Sequence, residues 1–337
     1  QYGAYLSRNY GSGTGQTTSD YAATDYLQSV TDGLGNSSEW RYRPLSTGEG
    51  SADQAKLYTT DFDEVGTGYV HFGSGMYVVQ SFKQSNGQSG ENETQYAYKG
   101  AMYNLQGRGF TGFNQIWEKD MQRDKTVHSV FKQKFPRVGL LTSQTVTVGS
   151  TTVNQVNNTW VDNPQHTISG VYHNIQTRSL QQSWDLQGTP LSTQEVQVSA
   201  SGVDAWGNIK KQTQSVTDYI KGQANTYTSV TETGFVPDVN NWWLNKFNSI
   251  KTSHNTAQRN WGDDPVGTMD KAQWQLQTVN TWNEVHKLPT KVTYTASNSS
   301  CNRVEETELN SYGLPRWTKT TGQSSTCSAM TARQTSF

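Results

Sequence analysis

Apolar and polar residues alternate with period two in short runs along this chain. The runs include Glu39-Trp40-Arg41-Tyr42, Tyr77-Val78-Val79-Gln80-Ser81-Phe82, Gln144-Thr145-Val146-Thr147-Val148, Glu195-Val196-Gln197-Val198 and Lys291-Val292-Thr293-Tyr294. A period of two puts alternate side chains on opposite faces of a strand. Between the runs lie Ser85-Asn86-Gly87-Gln88 and Asp162-Asn163-Pro164, which are turn chemistry. Capped helical periodicity is hard to find. The pattern therefore predicts an all-β fold of many short antiparallel strands and hairpins forming a long curved sheet, with little or no helix.

The densest signal runs from Tyr96 to Pro136. Its centre, Gly107-Arg108-Gly109-Phe110-Thr111-Gly112-Phe113, spaces glycines as turns or close backbone approaches require and as no helix tolerates. Tyr96, Tyr98, Ile116, Val127, Val130, Phe131 and Phe135 flank it with strand formers. Gly107, Gly109 and Gly112 read as backbone fittings that turn the chain, and Arg108 as a structural hydrogen-bonding group.

A softer repeat follows: an apolar residue, Asp or Asn, two more residues, then Gly. It occurs at Tyr103–Gly107, Trp184–Gly188 with Asp185, Val203–Gly207 with Asp204 and Trp206, and Leu309–Gly313 with Tyr312; Thr31–Gly35 and Trp282–His286 read as degraded copies. In each, Asp or Asn would bond the backbone ahead of it and Gly would take the left-handed position, reversing the chain into a polar strand such as the one that begins at Asn208. Hairpin modules of this kind cannot bury an apolar face singly, so neighbours must pair. Their irregular spacing favours a winding sheet over a solenoid or propeller.

Composition sharpens this. Hydrophobic residues make up 32% of 337 and the mean hydropathy is -0.79, so the buried face is thin and a sheet with one wet face is expected. The 11 Trp, 17 Tyr and 10 Phe argue against disorder. A net charge of -1 points neither to nucleic acid nor to an anionic membrane. No apolar run approaches the roughly 20 residues that cross a bilayer, and the chain reads as an interior piece or a mature product. Cys301 and Cys327 are the two cysteines, set in Ser/Thr-rich context. They read as a disulfide worth about 3 kcal/mol, the alternative being two unrelated thiols.

The chain resembles the Rhs or YD-repeat family, and within it the toxin-complex B-component and its Salmonella-virulence-plasmid-type relatives. The stretch YAYKGAMYNLQGRGFTGF, followed by Phe131-Lys132-Gln133-Lys134-Phe135-Pro136 and Gly139, resembles the family segment that precedes the YD repeats. VDAWGNIKK, Asn241-Trp242-Trp243-Leu244 and Ala329-Met330-Thr331-Ala332-Arg333 resemble the repeats. The resemblance implies a strip of a hollow shell that encloses a C-terminal toxin polypeptide and is secreted or delivered to the cell surface. Its partners would be the rest of its parent polypeptide and other toxin-complex subunits. On this reading, residues 1–26 are a loop or the tail of a preceding domain, 27–140 a β-rich segment before the repeats, and 141–337 the repeat-like strip. Asp264-Pro265-Val266-Gly267 is similar to the family's cleavage signature, yet lacks the continuation of a protease core, so it reads as a turn.

Catalytic chemistry finds little support. Gly11 to Gly15 lacks the flanking strand and helix of a dinucleotide fingerprint. The carboxylates Asp61/Asp63/Glu64, Asp263/Asp264 and Glu305/Glu306 are adjacent rather than set across a bond, and Glu305 and Glu306 would face opposite ways on a strand. The six histidines show no metal spacing, and no G-x-S-x-G elbow exists. Basic residues from Lys119 to Arg137 are interleaved with acids, which reads as a solvated hairpin. The sequence thus points to a non-enzymatic shell segment without cofactor or metal. The alternative is a secreted carbohydrate-binding or adhesive module in which Trp242 and Trp243 stack on sugars, and a glycosidase or lyase is a third reading.

Overall fold

The structure, a computed structural model, describes residues 26–61, 65–73, 75–88, 90–220, 222–256, 273–296, 302–323 and 332–337. Cys301, Cys327 and the Asp264–Gly267 turn lie outside them, as do Asp63, Glu64 and Asp263. The regular elements of the described residues are 20 strands and one 3-10 turn at Ala200–Gly202. The chain divides into two compact units, one of residues 1–156 with 184–189, the other of residues 157–183 with 190–337.

The first unit contains β1 (Ser29–Thr31), β2 (Ser37–Pro44), β3 (Tyr58–Thr59), β4 (Tyr69–His71), β5 (Tyr77–Ser85), β6 (Glu91–Asn104), β7 (Gly109–Asp120), β8 (Lys125–Phe131) and β9 (Leu141–Val148), and β10 (Thr151–Asp162) begins in it. Antiparallel ladders join β1 to β2, β2 to β5, and then β5 through β9 in order. At 14 residues β6 is longer than the alternation predicts, because three strands share one of its sides. Its start pairs with β5, Tyr58 of β3 runs parallel beside Tyr98, and Tyr69 of β4 lies opposite Asn104. The pairing of β3 with β6 departs from the antiparallel expectation. Leu45, Leu57, Tyr58, Val78 and Ala101 form the core here, with Phe72, Met76, Tyr98 and Phe113 against them.

The second unit contains β11 (Asn174–Trp184, its last residue in the first unit), β12 (Pro190–Gln197), β13 (Lys211–Ile220), β14 (Gln223–Phe235), β15 (Phe247–Thr256), β16 (Gln273–Asn283), β17 (Leu288–Ala296), β18 (Asn302–Leu309), β19 (Pro315–Gln323) and β20 (Arg333–Ser336). From β12 to β20 each strand pairs antiparallel with the next. Ile175, Val198 and Val203 make a small core with Val161 and Ala200. Elsewhere polar side chains hold neighbouring strands together. Ser215 and Thr228, Thr217 and Thr226, and Thr281 and Thr290 share hydroxyl hydrogen bonds, while Lys211 with Glu232 and Lys291 with Glu306 form cross-strand ion pairs.

Low hydrophobicity is accommodated differently from the one-wet-face expectation. In β9 every position is half-buried, without the alternation of buried and exposed residues that a single covered face produces. Two of its polar side chains bond to β8: Thr142 Oγ1 donates to the Val130 carbonyl (3.0 Å) and Gln144 Nε2 to the Ser129 hydroxyl (3.1 Å).

Candidate functional site

The glycine-rich segment builds a clamp. Asn104 ends β6 almost wholly buried, and its Oδ1 accepts the backbone N–H of Gln106 (2.9 Å) and Arg108 (3.4 Å), setting the turn into β7. Gly107 (φ 89°) and Gly109 (φ 74°) hold left-handed backbone in that turn. A bulge follows: Ala101 lies opposite Phe113 but Tyr103 lies opposite Phe110, so Thr111 and Gly112 together face Met102. Gly112 (φ 87°) supplies the left-handed residue, and Thr111 Oγ1 donates to the Met102 carbonyl.

The side chain of Gln133 closes the clamp. Its Nε2 donates to the carbonyls of Gly100 on β6 and Gly112 on β7, the latter at 2.8 Å, in a position 7% exposed. Arg108 lies with its guanidinium carbon 3.5 Å from the centre of the Phe135 ring, and the Phe135 N–H donates to the Tyr69 hydroxyl. Phe135 and Pro136 are joined by a cis peptide bond. The two halves of the segment singled out in the sequence therefore meet: Gly100 to Phe113 against Gln133 and Phe135.

Lys119 departs from the solvated-hairpin reading. It is 8% exposed because its ammonium lies between the carboxylates of Asp53 and Asp124. Hydrogen bonds it donates to Asp124 first, then to Asp53, hold it above the ordinary lysine range.

The Asx-x-x-Gly repeat forms two kinds of turn. In the first, three residues separate the strand ends: the N–H of Asp32, Asp185, Asp204 and Asn310 donates to the carbonyl four residues on, and Gly35, Gly188, Gly207 and Gly313 donate back to those same residues. Oδ1 of the leading residue takes two further amides, as at Asp204 from Trp206 (2.9 Å) and Asn208 (2.8 Å). Each glycine has positive φ, from 78° to 92°. Thr31–Gly35 is thus a full copy rather than a degraded one, with Asn36 bonding Asp32 as Asn208 bonds Asp204.

The second kind has one residue more. Asp120 opposite Lys125, Asp238 opposite Trp243 and Asn283 opposite Leu288 enclose four residues, and the left-handed position moves one place on, to Asp124 (φ 48°), Trp242 (φ 50°) and Lys287 (φ 55°). Oδ1 of the leading residue still accepts an amide three residues on, from Arg123, Asn241 and His286. The copy at Trp282–His286 lacks glycine because it belongs to this longer class. Each side chain held at positive φ costs about 1 kcal/mol.

In the second unit these turns line one edge of the sheet, each touching the next. Asn163 Nδ2 donates to the Asp204 carbonyl (2.8 Å), Asn208 Nδ2 to the Leu244 carbonyl (2.8 Å), and Lys287 Nζ to the Asn241 carbonyl (3.4 Å). Trp206 meets Trp242 edge-on at 6.1 Å, and Trp243 meets Trp282 at 4.9 Å. Two glycines are roofed by imidazoles: a Cβ on Gly207 would lie 2.1 Å from His173, and one on Gly313 would lie 3.0 Å from His286. Trp242 is 71% exposed and Trp243 is 6% exposed with Lys246 over its ring, so one indole of the pair faces solvent and the other packs. Tyr312, by contrast, is exposed at its turn tip.

Electrostatics follow the turns. Backbone hydrogen bonds, from Thr189 above all, hold the Asp185 carboxyl below the ordinary aspartate range, and the Asn36 side chain does the same for Asp32. A depressed folded value means the contribution is complete above the unfolded value of about 3.9 and is lost as pH falls through the folded one. Amide exchange at Gln187 and Thr189 is therefore expected to accelerate below about pH 4. Asp185→Asn, which keeps Oδ1 as Asn310 does, should remove that pH dependence and leave the turn formed; an unchanged acid response in the variant would contradict this.

Glu305 and Glu306 go to separate partners, Tyr294 with Arg303 and Lys291 respectively. Among the described residues no group of three or more His, Cys, Asp and Glu could hold a metal ion, and no helix is long and apolar enough to cross a membrane.

Residues 7–139, which include the clamp, match the family model described as the insecticide toxin TcdB middle/N-terminal region. That span is similar to a toxin-complex B-type segment. The fold of the chain is similar to one in the crystal structure of TcdB2-TccC3-Cdc42, with a TM-score of 0.53 and 11% identity. That likeness concerns the fold, and it covers 88% of this chain but only 18% of the solved one. No curated protein matches.

Neither Gln133 nor His173 was marked by the sequence as a site residue. Gln133 lies 21 and 33 residues from the carbonyls it joins. Nothing local distinguishes it from the other glutamines of the chain.

Proposed function

We propose that this chain is a structural segment of a toxin-complex B-type shell, which holds and shields a toxin polypeptide and catalyses nothing itself. The observation that carries the reading is the clamp, which lies within the span matched to the toxin-complex family and joins glycine bulges, a buried amide and an arginine-stacked loop, every member engaged with another part of the same unit. The long antiparallel ladders and the edge of interlocked turns support it, since both satisfy backbone groups while leaving polar side chains outward. Secretion or surface delivery, YD repeats in residues 141–337 and a role in virulence belong to the same proposal. The similar structure is named for TcdB2 with TccC3 and Cdc42, so a TccC3-type polypeptide is the partner to try.

Co-expression of the parent protein with a TccC3-type polypeptide tests this. The two are expected to co-purify at a fixed ratio; independent elution would overturn the shell reading.

A second reading keeps one observation, the outward Trp242 in a strained left-handed conformation beside Trp206. On that reading the turn edge binds glycans. Saturable binding to a glycan array, lost in Trp242→Ala and retained in Trp243→Ala, is the outcome it requires.

A further inference from the structure

The loop from Asn163 to His173 closes over the Asp204–Asn208 turn through two histidines whose protonation states the hydrogen bonds dictate. Asn163 is 5% exposed, and its amide orientation is fixed from two sides. Nδ2 donates to the Asp204 carbonyl (2.8 Å), which can only accept, and Oδ1 accepts the Gln165 N–H (3.0 Å), which can only donate. The remaining Nδ2 proton points to Nδ1 of His173 at 3.1 Å, so that nitrogen must be the bare acceptor of a neutral ring. His166 is constrained in the opposite sense. Its Nδ1 lies 3.0 Å from the Ala205 carbonyl and must carry the proton, leaving Nε2 bare, buried and without a hydrogen-bond partner.

The two rings meet edge-on at 6.3 Å. The His173 ring also covers Gly207, with Cε1 where a Cβ would stand. Behind the loop lie Ile175, Val198 and Val203, the small core of this unit, with Val161 at its margin. The elements around the pair carry three carboxylates, of which Glu195 on β12 is paired with Arg178 of β11. That of Asp204 accepts from Trp206, Asn208 N–H and Asn208 Nδ2, and Asp162 ends β10.

We infer that the Asn163–His173 loop is an acid-released latch: the His166–His173 pair locks it onto the Asp204–Asn208 turn only while both rings are neutral. Protonation of His173 puts an N–H against the Asn163 amide protons. Protonation of His166 places an N–H at a buried position that offers no acceptor. Either event opposes the closed loop. Opening uncovers Gly207 and the margin of the core, and it loosens the first contact in the row of turns.

Hydrogen exchange of the whole chain, corrected for the intrinsic effect of pH, tests this between pH 7.5 and 5.5. Protection of the Asn163, His166 and Gly207 amides is expected to fall at least about tenfold, while β13 and β14 amides hold. The double variant His166→Gln, His173→Gln should lose this response. An equal response in the variant, a flat profile in the wild type, or a uniform loss across both units would each overturn the latch. Nitrogen chemical shifts provide a readout that needs no variant. At pH 7.5 they should show His166 protonated at Nδ1 and His173 at Nε2, and the reverse assignment also overturns it.

Discussion

Gly207→Ala is expected to destabilise the chain by about 2–3 kcal/mol, the largest effect of any glycine substitution at a turn of the repeat. The new methyl group meets two obstacles. Left-handed backbone at φ 92° costs an alanine about 1 kcal/mol. The methyl would also lie 2.1 Å from Cε1 of His173, whose ring is tied to Asn163 and cannot swing away without breaking that bond. Gly35, with φ 86° and open space around it, is the matched control and should cost only the backbone share. Removing the roof separates the two: in a His173→Ala background, Gly207→Ala should fall to the Gly35→Ala value. Urea unfolding of the wild type and the four variants reads this directly, and equal costs for Gly207→Ala with and without His173 would show that the imidazole does not press on the turn.

Gln133→Leu is the second large effect. The leucine approximates the volume but removes the donor that the Gly100 and Gly112 carbonyls share in a position 7% exposed. A buried acceptor deprived of its partner costs about 1–3 kcal/mol, so a loss of about 2–4 kcal/mol is expected. Gln133→Glu should be worse at neutral pH, because it sets a carboxylate against two carbonyl oxygens, and should improve as the pH falls and the acid gains a proton to donate. Thermal unfolding at pH 7 and pH 4 distinguishes them. Leucine and glutamate variants of equal stability at both pH values would mean that the amide bonds contribute little.

Much of the fold was legible because its signals are local. Period two places Tyr77–Phe82, Gln144–Val148 and Lys291–Tyr294 within strands, as found. The Asx-x-x-Gly turns were legible for the same reason, since Asp204, Gly207 and Asn208 carry the whole turn within five residues. The longer turn class was not. It shifts the left-handed position off glycine, onto Asp124, Trp242 and Lys287, of which only the aspartate is a residue that turn preferences favour. A search for glycine passes over them.

What the sequence conceals is non-local. The burial of Lys119 depends on Asp53, 66 residues away, and the clamp depends on Gln133 meeting two strands that precede it. The parallel pairing of Tyr58 with Tyr98 is likewise invisible to periodicity, because a two-residue strand has no period to read. Trp242 and Trp243 illustrate the limit most plainly. Adjacent and identical in the sequence, they are separated into an exposed and a buried ring by a turn whose register sets them apart.

On the proposed reading, these ladders and turns form a wall around another polypeptide. Limited proteolysis of the protein co-purified with a TccC3-type polypeptide tests this. The partner is expected to resist cleavage in the wild-type assembly and to become cleavable when the wall is weakened by Gly207→Ala or Gln133→Leu. Cleavage of the partner in the intact assembly as fast as when it is free would contradict the account.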